Sequence, residues 1–247
     1  MATILRINGA DFKNDNLPLL RDLVRAGLSS VIGFSMSGVM QEYGSLELKR
    51  KNNVVLHKNF ATLTPDDGYI ETDFKNQVGS VMVTIRVKPD ITENWGYLFG
   101  MAPDDSGENK GIIGWVTSPE GSGVSGLGYT DSNELYSYLT RKNSEIPAYE
   151  RNKWLTFVFS WGKDSVRYQC LSDSLNVISK SINGITTKLG PLTIGTILGL
   201  IGNDPNDAMA LDFAEVIVWD RELTESEMVT QYNYSKTHLK NRGIEVV

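Results

Sequence analysis

Over residues 31–220 the chain reads as short runs of alternating apolar and polar positions broken by turn clusters, the period-two signature of β-strands. The clearest run sets Val81, Val83, Ile85 and Val87 against Met82, Thr84, Arg86 and Lys88, which predicts a half-buried strand with its valines inward. Leu155, Phe157, Phe159 and Trp161 share one face of a second strand, and Val166, Tyr168 and Cys170 one face of a third. From Leu211 to Trp219, strict alternation puts Leu211, Phe213, Ile217 and Trp219 on one side and Ala214, Val216 and Val218 on the other. Both faces are apolar, so this strand is expected to be covered on each. Glu215 breaks its parity, and a carboxylate there must either find hydrogen bonds inside or mark a β-bulge. Turn clusters at 65–68, 103–107, 118–123, 161–164 and 203–207 punctuate the strands. Strands without intervening helices predict an antiparallel sandwich.

The period changes only at the two ends. Residues 17–27 read as a short helix, with Pro18 in the first turn and Gly27 after the last. Near the other end, Thr224 and Glu227 have the spacing of a capping box, and Leu223 and Met228 that of a hydrophobic staple. Met228, Tyr232, Ser235 and Leu239 then follow one helical face until Gly243, which is placed to end the helix.

The stretch Phe213-Ala214-Glu215-Val216-Ile217-Val218-Trp219-Asp220-Arg221-Glu222-Leu223-Thr224-Glu225-Ser226-Glu227 resembles the closing signature of the laminin G-like, concanavalin A-like jelly-roll domains. Further segments follow in the family's order. Tyr69-Ile70-Glu71-Thr72 is similar to the opening of the sandwich, 81–89 to its first long core strand, and Trp95-Gly96-Tyr97-Leu98-Phe99-Gly100 to the next. Lys153-Trp154-Leu155-Thr156-Phe157-Val158 is similar to the strand that carries the family's tryptophan, and Pro191-Leu192-Thr193-Ile194-Gly195 to the strand before the closing one. Two positions depart from the pattern: Tyr168-Gln169-Cys170-Leu171-Ser172-Asp173 replaces an aromatic-x-Asp-Gly hairpin, and Ala214 replaces a glycine. Residues 1–12, followed by a short apolar segment and Gly27-Leu28, are similar to the leader of phage and prophage tail-associated proteins that carry such a jelly roll. The resemblance implies an all-β, two-sheet antiparallel jelly-roll sandwich with a short N-terminal helix and a C-terminal helix. It divides the chain into a leader over 1–30 and a domain over 31–247. It also implies a virion protein, part of an oligomer or larger assembly, that binds glycan or a neighbouring virion subunit.

With 247 residues and 40% hydrophobic content the chain can bury one substantial core. Its formal charge of -6 argues against nucleic acid, whose phosphates need a concentrated basic surface. A basic leader with an apolar core is missing from the first residues, and no apolar run is long enough to span a bilayer. The expectation is synthesis in a host cytoplasm, no membrane insertion, and release within a virion. The single cysteine, Cys170, is expected to be a small buried hydrophobe.

Little in the chain points to catalysis. Gly121-Ser122-Gly123-Val124-Ser125-Gly126 matches a dinucleotide-binding string, but it neither follows a strand nor opens a helix. His57 and His238 are far apart in sequence and outside any zinc-binding spacing. Glycoside hydrolases on this fold alternate carboxylates along one strand, since acid and nucleophile flank the scissile bond about 5 Å apart. Glu71-Thr72-Asp73 begins that pattern, and Lys75 and Asn76 break it. No cofactor is expected; the one metal reading is calcium at Asn203, Asp204 and Asp207, set against a solvated turn. Tyr136 and Tyr138 share a strand face, and Trp95 and Trp115 lie in or beside glycine-rich turns, where sugar rings could stack. Asp131, Asn133 and Arg141 would serve the sugar hydroxyls. The sequence therefore reads as a non-catalytic binding module, with a polysaccharide-degrading enzyme and a purely architectural virion subunit as the alternatives.

Overall fold

The computed structural model describes residues 23–51, 53–66, 68–88, 95–101, 112–117, 124–129, 135–139, 152–181, 189–197 and 209–247. These form two antiparallel sheets and one helix. The first sheet runs β14 (Ile178–Ser181), β13 (Ser165–Cys170), β12 (Trp154–Trp161), β7 (Gly79–Arg86), β16 (Leu211–Trp219), β1 (Leu28–Ser35) and β2 (Gly38–Gly44). The flank of β16 facing β1 also takes β5 (Ala61–Leu63), which pairs in turn with β4 (Val55–Leu56). The second sheet runs β11 (Leu135–Leu139), β10 (Val124–Tyr129), β9 (Ile112–Thr117), β8 (Trp95–Met101), β15 (Thr193–Ile194), β6 (Ile70–Thr72) and β3 (Leu48–Arg50). The short N-terminal helix expected over 17–27 lies almost wholly outside the described residues.

Two apolar clusters sit on opposite faces of the first sheet. Val81, Val83, Ile85, Leu155, Phe157, Phe159, Trp161, Val166, Tyr168 and Cys170 face inward and meet Ile70, Leu98, Phe99 and Ile194 of the second sheet. Met82, Trp154, Val158, Ala214, Ile217 and Trp219 face outward and are covered by α1 (Glu225–Asn241) and the tail beyond it. This second layer corrects the expectation that β7 is half-buried: Ser80 and Thr84 on its polar face are buried too. Their hydroxyls are satisfied across the strand pair, Ser80 to Ser160 at 2.9 Å and Thr84 to Thr156 at 2.8 Å, so covering them leaves no orphaned polar atom.

The closing strand corrects a second expectation. Phe213 pairs with Ile85 and Glu215 with Thr84, which leaves Ala214 as the extra residue of a β-bulge. Side-chain facing changes across it: Leu211, Phe213, Val216 and Val218 belong to the inner core, whereas Ala214, Ile217 and Trp219 belong to the outer one. Glu215 was therefore the sequence mark of a bulge.

The helix starts and stops where its sequence places it. Thr224 caps it in a complete capping box with Glu227, and Leu223 and Met228 of the staple are fully buried. At the far end Gly243 adopts φ +79, its N–H donates to Lys240 O, and that of Ile244 donates to Leu239 O. This is a Schellman ending, sealed by the buried pair Leu239 and Ile244.

Candidate functional site

Tyr136 and Tyr138 lie in β11, opposite Gly128 and Gly126, and Gly126 in turn lies opposite Gly114 of β9. Trp95 opens β8 and Trp115 lies in β9, opposite Tyr97. For these four aromatic residues the backbone is described and the side chains are not. Asp131, Asn133, Arg141, Asn203, Asp204 and Asp207 lie outside the described residues. Among the described residues no three His, Cys, Asp or Glu side chains gather closely enough to hold a metal ion.

The described residues contribute a different site, on the outer face of the first sheet. Register sets Thr62, Asp212, Arg86 and Trp154 in one row across β5, β16, β7 and β12, and Trp154 bridges to Val246 of the tail. Asp212 is almost wholly buried and takes two bonds from Arg86, Nε at 3.1 Å and Nη2 at 2.8 Å, and one from Thr62 Oγ1 at 2.6 Å. The guanidinium lies against two aromatic rings that meet edge-on at 5.5 Å, 4.9 Å from the Phe60 centroid and 4.7 Å from that of Trp154. His57 stacks on Phe60 at 4.2 Å, and its Nε2 lies 3.1 Å from Thr62 Oγ1. The single hydroxyl proton of Thr62 goes to Asp212, so His57 Nε2 must carry a proton and donate. Thr62 is thus an anchored bridge, and His57 does not activate it as a nucleophile.

Above this row lie two adjoining depressions that share Asn152. One, of about 200 Å³, is lined by His57, Phe60, Thr62, Arg86, Lys88 and Asp212. The other, of about 470 Å³, is bounded by Lys153, Trp154, Lys236, Lys240, Glu245 and the last two residues. Together they form a groove with the sheet as floor and the helix and tail as one wall. Asn152 stands exposed at its centre in the left-handed region, φ 73, with its N–H donated to Val87 O. The groove can offer hydrogen-bond donors and positive charge to a ligand, but the ring faces at its floor already hold Arg86. Sequence reasoning missed it because its residues are spread over five segments. The usable signal was Asp212 and Arg86, each charged and each in an otherwise apolar or half-buried strand.

A second polar cluster lies under the far end of the helix. In β2 Tyr43 pairs with Val31 and Gln41 with Ile32, so Glu42 is the extra residue of another bulge. Gly33 pairs with Glu215, and a Cβ on it would stand 2.5 Å from Glu42 Oε1 and 3.1 Å from Arg242 Nη1. The missing side chain makes room for a four-charge group. Glu42 Oε2 lies 3.0 Å from His238 Nε2, and its Oε1 lies 3.3 Å from Arg242 Nη1. Arg242 Nη2 also donates to Phe34 O at 2.8 Å. Glu215 is buried beside them with Oε1 lacking a partner. Burial pushes the Glu215 carboxyl above its ordinary range, against the opposing pull of the Ser235 hydroxyl and the His238 charge. Contact with Glu42 raises the His238 ring, and the Glu215 charge adds to this against desolvation. Desolvation acts to raise Glu42, but the combined pull of His238 and Arg242 outweighs it and holds that carboxyl below its usual range. None of the four residues lines the groove.

No family model matches the chain, and no curated protein sequence matches it. Solved structures do. The binding domain of botulinum neurotoxin serotype D aligns at 14% identity and TM-score 0.60, covering 84% of this chain and 51% of that one. The serotype D ligand binding domain in complex with N-acetylneuraminic acid aligns at 13% and 0.59, covering 84% and 50%. The binding domain of Paraclostridial Mosquitocidal Protein 1 aligns at 16% and 0.61, covering 84% and 52%. The chain spans about half the length of these neighbours. At such identities the likeness establishes the β-sandwich fold.

Proposed function

We propose that this chain is a non-catalytic binding module that recognises glycan, and that it does so as a phage or prophage tail-associated protein. The observation that carries the binding reading is the groove over the Thr62–Asp212–Arg86–Trp154 row, which gathers donors and cations at its rim around a floor with no activated nucleophile. The sandwich it sits on is shared with toxin binding domains, one of them solved with an acidic sugar. The tail-associated role rests on the similarity of the leader and the jelly roll to such proteins, and assembly with virion partners belongs to that same reading. Lys236, Lys240 and Asn152 would bind the acceptor oxygens of a sugar, with the Phe60–His57 pair as the apolar rim. A second reading places the sugar on Tyr136 and Tyr138, which share a face of β11 by alternation, with Asp131, Asn133 and Arg141 close to them in sequence.

A glycan array with the full chain tests the proposal, followed by titration of variants. Asn152→Gly, which keeps the left-handed backbone, and the Lys236→Ala/Lys240→Ala pair should each weaken binding by about 1 to 2 kcal/mol while leaving the melting temperature nearly unchanged. Loss through Tyr136→Ala and Tyr138→Ala alone would move the site to β11. An array without signal would leave the architectural virion subunit as the reading.

A further inference from the structure

The wall of the groove is the last part of the helix and the tail, and the Glu42–Glu215–His238–Arg242 cluster lies on its other side. Lys236 and Lys240 border the groove, while His238 and Arg242, on the same two turns, reach Glu42 and Glu215. We propose that the protonated His238 ring is a latch that keeps the end of α1 and the tail seated on the sheet, so that loss of its proton releases them and takes the groove apart. The part concerning the groove rests on the function proposed above; the latch itself does not.

The argument is a charge count in a confined place. The His238 ring faces Glu42 from β2, Glu215 from β16 and Arg242 from the end of its own helix, with Tyr234 stacked at 6.1 Å. With the ring charged, two carboxylates meet two cations. With the ring neutral, two carboxylates share Arg242 alone, and one of them, Glu215, is out of reach of water with an oxygen already unpartnered. A buried, uncompensated carboxylate is among the costliest groups a fold can hold. The contact between the ring and Glu42 does not replace the missing charge, because at 3.0 Å it lacks the alignment of a hydrogen bond and is ionic. Within its raised range Glu215 is relieved by holding a proton; above that range the relief is to lift the helix end and let water reach the carboxylate. Among the described residues, Leu239, Ile244 and Val246 are the buried apolar anchors of that end, whereas Leu223, Met228 and Tyr232 anchor the other.

The sign follows from the direction of each shift. His238 is raised above 6.5 in the folded protein, so its stabilisation is complete below that value and is lost as pH rises through the folded value. Glu215 is also raised and acts in the same sense, favouring the seated helix at lower pH. Glu42 is lowered, and its contribution is lost only in acid, below 4.5. The latch therefore opens on the alkaline side of neutrality.

Hydrogen exchange of the full chain between pH 6 and 9, corrected for the intrinsic pH dependence of exchange, measures it without any ligand. Protection over 236–246 should fall by about tenfold for each unit by which folding raises the ring, while β7 and β12 hold theirs. His238→Gln should give low protection and a shallower slope, the remainder being that of Glu215. Glu215→Gln, which removes the carboxylate left unpaired, should reduce the slope to the part that the Glu42 contact sustains while keeping protection high. A flat wild-type profile overturns the latch, as does a wild-type slope persisting in His238→Gln. Should His238→Gln fail to fold, an unaltered slope in Glu215→Gln overturns it equally. A pH-dependent helix end in a protein that binds no glycan would keep the latch and remove the groove function; glycan binding that ignores the helix transition would detach the groove from the latch.

Discussion

Asp212 illustrates how much a single residue can demand of its neighbours. A carboxylate buried in the middle of a sheet is tolerated only if its charge and lone pairs are met, and here Arg86 and Thr62 meet both from adjacent strands. Replacing it with alanine leaves the guanidinium against Phe60 and Trp154 with no counter-charge. Asp212→Ala should cost about 3 to 5 kcal/mol in denaturant unfolding, and Asp212→Asn less. The sequence shows Asp212 and Arg86 as charged residues in strands, but not that they meet. Their pairing depends on the register of β16 against β7, which the bulge at Ala214 shifts by one residue.

At the scale of elements, the C-terminal helix was legible almost to the residue because its signals are contiguous. The cap, the staple and the Schellman glycine lie within a turn of the ends they define. Thr224→Ala should cost about 1 kcal/mol in thermal unfolding. The cap also titrates: the Arg221 guanidinium, then the Thr224 amide and hydroxyl, hold Glu227 down at about 2 against desolvation. Its stabilisation is present above 4.5 and is lost as pH falls toward 2. Glu227→Gln should accordingly remove part of the loss of helix circular dichroism on acidification between these values. The groove was not legible by the same means. It is assembled from β5, β7, β12, β16 and the tail, and no local rule links residues 57, 86, 152 and 240.

Across the whole molecule, β16 contributes to both apolar clusters with every side chain buried, as its near neighbour β12 does. Phe213 faces one core and Ile217 the other, so Phe213→Ala should cost about 3 to 5 kcal/mol and Ile217→Ala about 2 to 5. Both variants should still melt in one transition, with tryptophan fluorescence and far-ultraviolet circular dichroism coinciding. Alternation foretold that the strand was covered on both sides; it could not foretell which residue served which core, because period two was carried through a position where the backbone gains a residue. That gain resembles a frameshift. Leu211 to Phe213 and Glu215 to Trp219 are each in phase with the sheet but out of phase with each other, and Ala214 is the inserted letter. Its removal would restore a single unbroken alternation, with Val216 and Val218 still inward and Ile217 and Trp219 still outward. The bulge is therefore dispensable to the pattern of the cores, and what it adds is a second consecutive outward residue, Ala214 beside Glu215, beneath the helix.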